Sequence, residues 1–225
     1  MKAVILAAGR GRRMGRLTDT LPKPLISVLG KPIIHHIIES LPPSIDHIIV
    51  VIGYQGNKIK RYLKEKFPLV SFSFVRQDRL VGPAYALLQV KDFFTKPQER
   101  FILIYGDELP SKTEIKKCLS HNYSCLCHFI SKPIPTGVVK VNKDGMIIKL
   151  VEHRKPTSKP VMAAGGVMVL NSDIFNYRKV LHQKSGEYYL TPMLNRFNKA
   201  YPMYIVLGQD DLYFTTPADI ERFSK

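Results

Sequence analysis

The sequence predicts an α/β fold, Rossmann-like in outline: a doubly wound, mainly parallel but mixed sheet with helices on both faces and a small β-rich extension. Three observations predict it. Short runs rich in Val and Ile alternate with helix-patterned segments through the first 120 residues. After residue 124 the rhythm changes to strands alone. The length of 225 residues and a hydrophobic content of 45% suit one domain with a packed core.

The elements follow in order. Residues 2–6, 47–52, 70–75 and 101–105 read as buried strands, too short and too β-branched for helices. Between them, helices are expected at 33–40, 56–67, 83–93 and 113–119. Such alternation joins parallel strands by crossover helices and puts ligands beyond the carboxyl ends of the strands. Further strands are expected at 124–131 and 161–170, with a hairpin of 138–141 and 146–152 turning at Lys143, Asp144 and Gly145.

Composition removes several functional classes. No apolar run approaches the ~20 residues that span a bilayer, and only six apolar residues separate Lys2 from Gly9. Neither a membrane helix nor a signal peptide is expected, which points to the cytoplasm. The three cysteines, Cys118, Cys125 and Cys127, lack the paired spacing of a zinc site and read as free thiols. Net charge is +16, from 34 Lys and Arg against 18 Asp and Glu, a balance that suits nucleic acid, an anionic surface or a phosphorylated substrate. Its distribution is uneven. Between residues 7 and 32 stand Arg10, Arg12, Arg13, Arg16, Lys23 and Lys31 against Asp19 alone. Elsewhere the excess is scattered, as in Lys58, Lys60, Arg61, Lys64 and Lys66 on one helix, a solvated face.

The stretch AVILAAGRGRRMGRLTDTLPKPL, residues 3–25, therefore asks for an anion. A dinucleotide fingerprint fails, because Gly9 and Gly11 are followed by Met14, with Gly15 one place late; a Walker A loop is absent. What remains is a strand that delivers a glycine turn. Its amides can form an anion nest, with Arg13 and Lys23 as charges around it.

LAAGRGRRM, then LPKPL and GKPII, spanning residues 6–34, resembles the signature of the sugar-phosphate nucleotidylyltransferases: LAAG, any residue, GTRM, then PKPL and GKP. Arg12 departs from the usual Thr. The resemblance implies that Leu6, Ala7, Ala8, Gly9, Gly11 and Arg12 surround the nucleotide, and that the catalytic cations are Arg13, on the β and γ phosphates, and Lys23, near the α phosphate. In QDRLVGPAYALL it implies that Gln77 and the Gly82 backbone read the base, and in YGDEL that Asp107 binds Mg²⁺, a hard ion suited to carboxylate oxygen.

In the second half the resemblance implies an acceptor site built from Gly137, Glu152, Lys155 and Gly166. The family commonly has Glu followed directly by Lys and Pro, whereas here His153 and Arg154 intervene, so Arg154 is an alternative to Lys155. Near the end, most members place a second metal-binding acid where this chain has Tyr213; Asp211, on the same strand face, is the candidate replacement.

The implied function is transfer of a nucleoside monophosphate from a triphosphate to a sugar 1-phosphate, Mg²⁺-dependent, within a single domain 1–225. Residues 1–120 form its nucleotide half and 121–225 its acceptor half, with no hexapeptide-repeat domain. The implied partners are a nucleoside triphosphate and a phosphorylated small-molecule acceptor. Nucleic acid is not expected, and assembly with further copies of the chain is left open. Two alternatives stand beside this. Tyr85 is similar to the pattern of cytidylyltransferases for phosphocholine or inositol phosphate, where a cation would want an aromatic box and Tyr188 and Tyr189 are available. The departure at Tyr213 fits a non-catalytic nucleotide-sugar-binding regulator. His35 and His36, in an apolar helix, read as structural.

Overall fold

The computed structural model describes residues 1–130, 136–153, 160–208 and 217–221. In chain order the elements are β1 (Lys2–Ala7), β2 (Ser27–Val28), β3 (Lys31–Pro32), α1 (Ile33–Ser40), β4 (His47–Ile52), α2 (Gly56–Lys66), β5 (Phe72–Arg76), α3 (Pro83–Leu88), β6 (Arg100–Tyr105) and α4 (Lys112–Ser120). Then come β7 (Ser124–Ile130), β8 (Thr136–Val141), β9 (Ile147–His153), β10 (Val161–Asn171), β11 (Val180–His182), β12 (Glu187–Tyr189), α5 (Thr191–Ala200), β13 (Tyr204–Leu207) and α6 (Pro217–Glu221).

The main sheet runs β13-β7-β10-β6-β1-β4-β5. The β6-β1-β4-β5 side is parallel throughout. β10 runs antiparallel to both β6 and β7, and β13 lies parallel to β7, so the sheet is mixed as expected. The β8–β9 hairpin attaches through β8 to β10.

The period-two side-chain alternation of a strand splits the core in two. Ala3, Ile5 and Ala7 of β1 face one layer, packed with Ile33, Ile34 and Ile37 of α1, Ile59 and Leu63 of α2 and Ile115 of α4. Val4 faces the other layer, with Ala84 and Leu87 of α3 and Met193, Leu194 and Phe197 of α5. Both faces of β1, β4 and β6 are buried, which explains why these segments read as unbroken apolar runs.

Several predicted boundaries shift. The strand expected at 70–75 occupies Phe72–Arg76. The helix expected at 83–93 ends at Leu88, because the Gln89 and Val90 amides turn to i−3 carbonyls at 3.2 Å and break the α ladder; Lys91–Phe93 is a separate 3-10 turn. The hairpin turn is as expected, with Asn142 Oδ1 accepting from the amides of Asp144 (3.0 Å) and Met146 (2.9 Å). Elements β11, β12, α5 and β13 carry no expectation from the sequence. The three cysteines are free and buried, Cys118 in one layer and Cys125 and Cys127 together in the other. No helix among the described residues is long and apolar enough to cross a membrane.

Candidate active site

Strand order fixes where a ligand can sit. From central β1 the chain goes first to β4 on one side and later to β6 on the other, so the loops after β1 part there and leave a crevice at the carboxyl ends. A cleft of about 790 Å³ lies at that point. Every nucleotide-side residue singled out in the sequence lines it, as do Arg13, Lys23 and Asp107.

Two loops are clipped to the end of β1, and a third to the end of β4, by backbone hydrogen bonds. The Gly106 amide donates to Leu6 O at 2.9 Å and the Tyr54 amide to Ala8 O at 3.1 Å, while the Gln77 amide donates to Ile52 O at 2.8 Å. Asp107 thus stands at the end of β6 and Tyr54 at the end of β4, flanking the turn at 8–15. Within that turn Gly11 adopts φ 67°, and a Cβ there would lie 3.0 Å from Lys23 Cβ. Glycine lets the turn rest on the lysine stem. Thr18 Oγ1 latches it, donating to Gly11 O (3.2 Å) and Gly15 O (3.1 Å). The amides of Arg10, Gly11, Arg12 and Arg13 have no hydrogen-bond partner among the described residues. They are free to receive an anion.

Lys23 lies between buried Pro24 and Leu25 and the turn, and only 8% of it is exposed. Its Nζ donates to Asp107 Oδ2 at 2.7 Å, and the Asp107 side chain is 39% exposed. A buried ammonium with one carboxylate partner at the rim of a cleft is a fixed positive charge aimed at whatever occupies that cleft. Arg12 and Arg13 are exposed beside it, without carboxylate partners among the described residues.

At the other end, Gln77 is buried, with Nε2 donating to Arg79 O at 2.9 Å and lying 3.5 Å from Gly82 O. Its Oε1 accepts no hydrogen bond among the described residues. Gly82 adopts φ 103°, and an added Cβ would stand 2.7 Å from Tyr188 O. That close approach docks the β11–β12 hairpin, whose Tyr188 amide donates to Val81 O at 2.7 Å. The hairpin tip, Ser185 to Glu187, completes the cleft wall. Sequence reasoning missed it, the available sign being the Ser185-Gly186 turn between two short apolar runs.

Of the acceptor-side residues that the structure describes, Gly137, Glu152 and Gly166 do not line this cleft. The Gly166 amide donates to Glu108 Oε1 at 2.8 Å, and its Cα face is closed by Tyr105 and Glu108. Gly166 therefore approaches protein groups closely. Glu108, also missed from sequence, is buried, and burial with the neighbouring Asp107 carboxylate raises its pKa to about 8. The Tyr105 hydroxyl is pushed up by burial and by Glu152 and Asp107. It lines the cleft and lies within the electrostatic reach of both acids, linking the two sides. Glu152 stands opposite Gly137 in the β8–β9 register and accepts from the Thr191 hydroxyl. Lys155, Arg154, Asp211 and Tyr213 lie outside the described residues.

The expected structural histidines have structural partners: His35 Nδ1 is 2.8 Å from the Tyr62 hydroxyl and His36 Nε2 is 2.8 Å from Val28 O. The aromatic pair considered for a cation is filled from within. Tyr85 stacks on Tyr188 at 6.5 Å, and the Lys179 ammonium sits over both rings, at 5.8 and 5.3 Å. Tyr189 instead turns its hydroxyl to Ser185 Oγ at 2.9 Å.

The family model for nucleotidyl transferases matches residues 2–213. This chain belongs to the nucleotidyl transferase family. Among the relatives of this family member, the bifunctional protein GlmU of Methanococcus maripaludis strain S2 is 31% identical over 200 residues, covering 87% of this chain and 46% of the relative. The bifunctional sugar-1-phosphate nucleotidylyltransferase/acetyltransferase of Sulfurisphaera tokodaii is 31% identical over 211 residues, 92% of this chain and 50% of the relative. The chain thus spans about half the length of the curated relatives it matches. A solved Bacillus anthracis structure, described as a candidate glucose-1-phosphate thymidylyltransferase with sucrose, superposes with a TM-score of 0.83 at 24% identity, covering 99% of this chain and 93% of that one. At that identity it speaks for the fold alone, and the fold agrees.

Proposed function

We propose that this chain transfers a nucleoside monophosphate from a nucleoside triphosphate to a sugar 1-phosphate, releasing pyrophosphate. The observation that carries the reading is the Lys23–Asp107 pair at 2.7 Å, set beside a glycine turn that lines a cleft of about 790 Å³. In the reaction an acceptor phosphate oxygen attacks the α phosphorus, in line with the departing pyrophosphate. Two anions must meet, so mutual repulsion is the main barrier. Fixed cations lower it without reorganising during the reaction, and no covalent nucleophile is required. Lys23 stands for the charge near the α phosphate and Arg13 for the pyrophosphate end.

The base would lie at Gln77 Oε1 and the Gly82 amide. The acceptor would lie on the 121–225 side, toward Glu152, Gly137 and Tyr105, with the nucleotide held by residues 1–120 and the hairpin tip. The donor chemistry suits Mg²⁺: Asp107, which would hold the ion, offers a hard carboxylate oxygen beyond its bond to Lys23. Among the described residues no group of three or more His, Cys, Asp or Glu is placed to hold a metal by itself. The ion would neutralise charge on the phosphates when bound. Lys179 over the Tyr85–Tyr188 pair speaks against a quaternary amine at that place, so the sugar reading stands ahead of phosphocholine.

The test is pyrophosphate release from full-length chain across a matrix of four triphosphates and several sugar 1-phosphates, with phosphocholine and inositol phosphate included. Turnover with one triphosphate and a sugar 1-phosphate is expected. Binding of a triphosphate, seen as a raised melting temperature, without release from any pair would replace this reading with that of a binding regulator.

A further inference from the structure

Of the 34 Lys and Arg residues, four among the described residues line the cleft, so the nucleotide accounts for a small part of the +16 charge. Helix α2 carries another share. Its Ile59 and Leu63 are fully buried in the core, which turns Lys60, Arg61 and Lys64 outward, with Lys66 exposed in the last turn and Glu65 the one acid among them. None of these four cations has a carboxylate partner among the described residues. Lys60 also lies against the edge strand of the sheet, its ammonium 5.7 Å from the centroid of the Phe74 ring of β5.

An apolar tip follows this helix. Phe67 and Val70 pack against the core, and the Val70 amide donates to Phe67 O at 3.1 Å, closing a tight turn whose central residues, Pro68 and Leu69, stand outward. Leu69 is 99% exposed, against 63% for Ile148, the next most exposed large apolar side chain among the described residues. A scattered apolar side chain at a surface is ordinary. One held on a proline-stiffened turn, at the end of an unpaired basic helix face, is a wedge beside a cationic surface. The turn immediately precedes β5, whereas the cleft lies at the carboxyl ends of the strands, so tip and cleft are at opposite ends of the parallel strands.

We propose that α2 and the turn after it dock this chain on an anionic lipid surface, with Lys60, Arg61, Lys64 and Lys66 at the headgroups, Leu69 in the acyl boundary and the cleft open to solvent. Charge complementarity selects an anionic partner. The apolar tip selects a bilayer over nucleic acid, because a bilayer offers an apolar layer just beneath its charged plane and the outside of a duplex does not. A few lysines or one leucine alone bind a membrane weakly, and the two signals together multiply. The inference is independent of the transfer reading.

Flotation of the chain with vesicles tests it, using phosphatidylcholine alone and phosphatidylcholine with about one third phosphatidylserine. Binding to the anionic vesicles only, falling as salt rises, is expected. Lys60→Gln and Lys64→Gln should each weaken it about fivefold, and Leu69→Ser about tenfold, with melting temperatures unchanged as the folding check. The chain has no tryptophan, so Leu69→Trp introduces one fluorophore whose emission should move to the blue on anionic vesicles, a shift that adsorption by charge alone would not produce. Wild-type chain that stays unbound with anionic vesicles, or binds neutral ones equally, overturns the proposal. So does an unshifted Leu69→Trp emission on bound protein. Retention of a DNA duplex at physiological salt without vesicle binding also overturns it and assigns the face to nucleic acid.

Discussion

The two walls of the site differ in how their polar groups are satisfied. On the phosphate side, Arg10, Arg12 and Arg13 and the amides around them have no hydrogen-bond acceptor among the described residues, while Lys23 is paired with Asp107. On the acceptor side, Glu108 is bonded to the Gly166 amide and Glu152 to the Thr191 hydroxyl. The first wall is an open set of donors that an incoming anion completes. The second is closed upon itself, so its carboxyl groups serve packing until a ligand offers better partners. The difference teaches which substitutions should strike chemistry and which should strike stability.

The largest effect belongs to Lys23. Lys23→Ala removes the fixed charge and strands Asp107, and turnover measured by pyrophosphate release should fall about 10²–10³-fold with little change in melting. Glu108→Ala attacks the closed wall instead. It leaves a buried amide unpaired and a void against Tyr105, which should cost about 2–4 kcal/mol in urea unfolding. Glu108→Gln keeps an acceptor of the same size and should stay within about 1 kcal/mol. If both Glu108 variants were neutral, the closed wall would be a misreading.

Gly82→Ala tests the joint between the walls. Its φ of 103° and the 2.7 Å approach to Tyr188 O leave no room for a methyl group, so hairpin docking should weaken by about 1–3 kcal/mol, with triphosphate affinity falling alongside. Thr191→Val frees Glu152 from its internal partner and should alter the KM for the acceptor about tenfold, leaving triphosphate affinity as it was; an equal change in both would place Glu152 nearer the nucleotide. Lys64→Gln, on the solvated face of α2, is the smallest: within about ±0.5 kcal/mol and without effect on turnover.

Much of this was legible in the sequence, for physical reasons. Strands β1, β4 and β6 are buried on both faces, so their Val and Ile runs stand out from the helices between them. The turn after β1 combines glycines with uncompensated arginines, a pattern that water alone does not explain, and its residues do converge on one cleft with Asp107 and Gln77. Other parts lay beyond reach. Strands β11 and β12 have three residues each, too few for a periodicity to show, and their docking depends on a backbone bond to Val81 a hundred residues earlier. Glu108 reads in sequence as a surface acid. Its burial arises from Gly166, 58 residues away, which supplies both the missing Cβ and the amide that makes burial tolerable.

The central claim is that the turn at residues 8–15 holds a polyphosphate with Lys23 beside the α phosphate. A crystal structure of the full chain with a nucleoside triphosphate tests it most directly. The account predicts phosphate oxygens on the amides of Arg10 to Arg13, with Lys23 Nζ within hydrogen-bonding distance of the α phosphate and Gln77 at the base. Triphosphate bound elsewhere, with that turn facing bulk water, would contradict it.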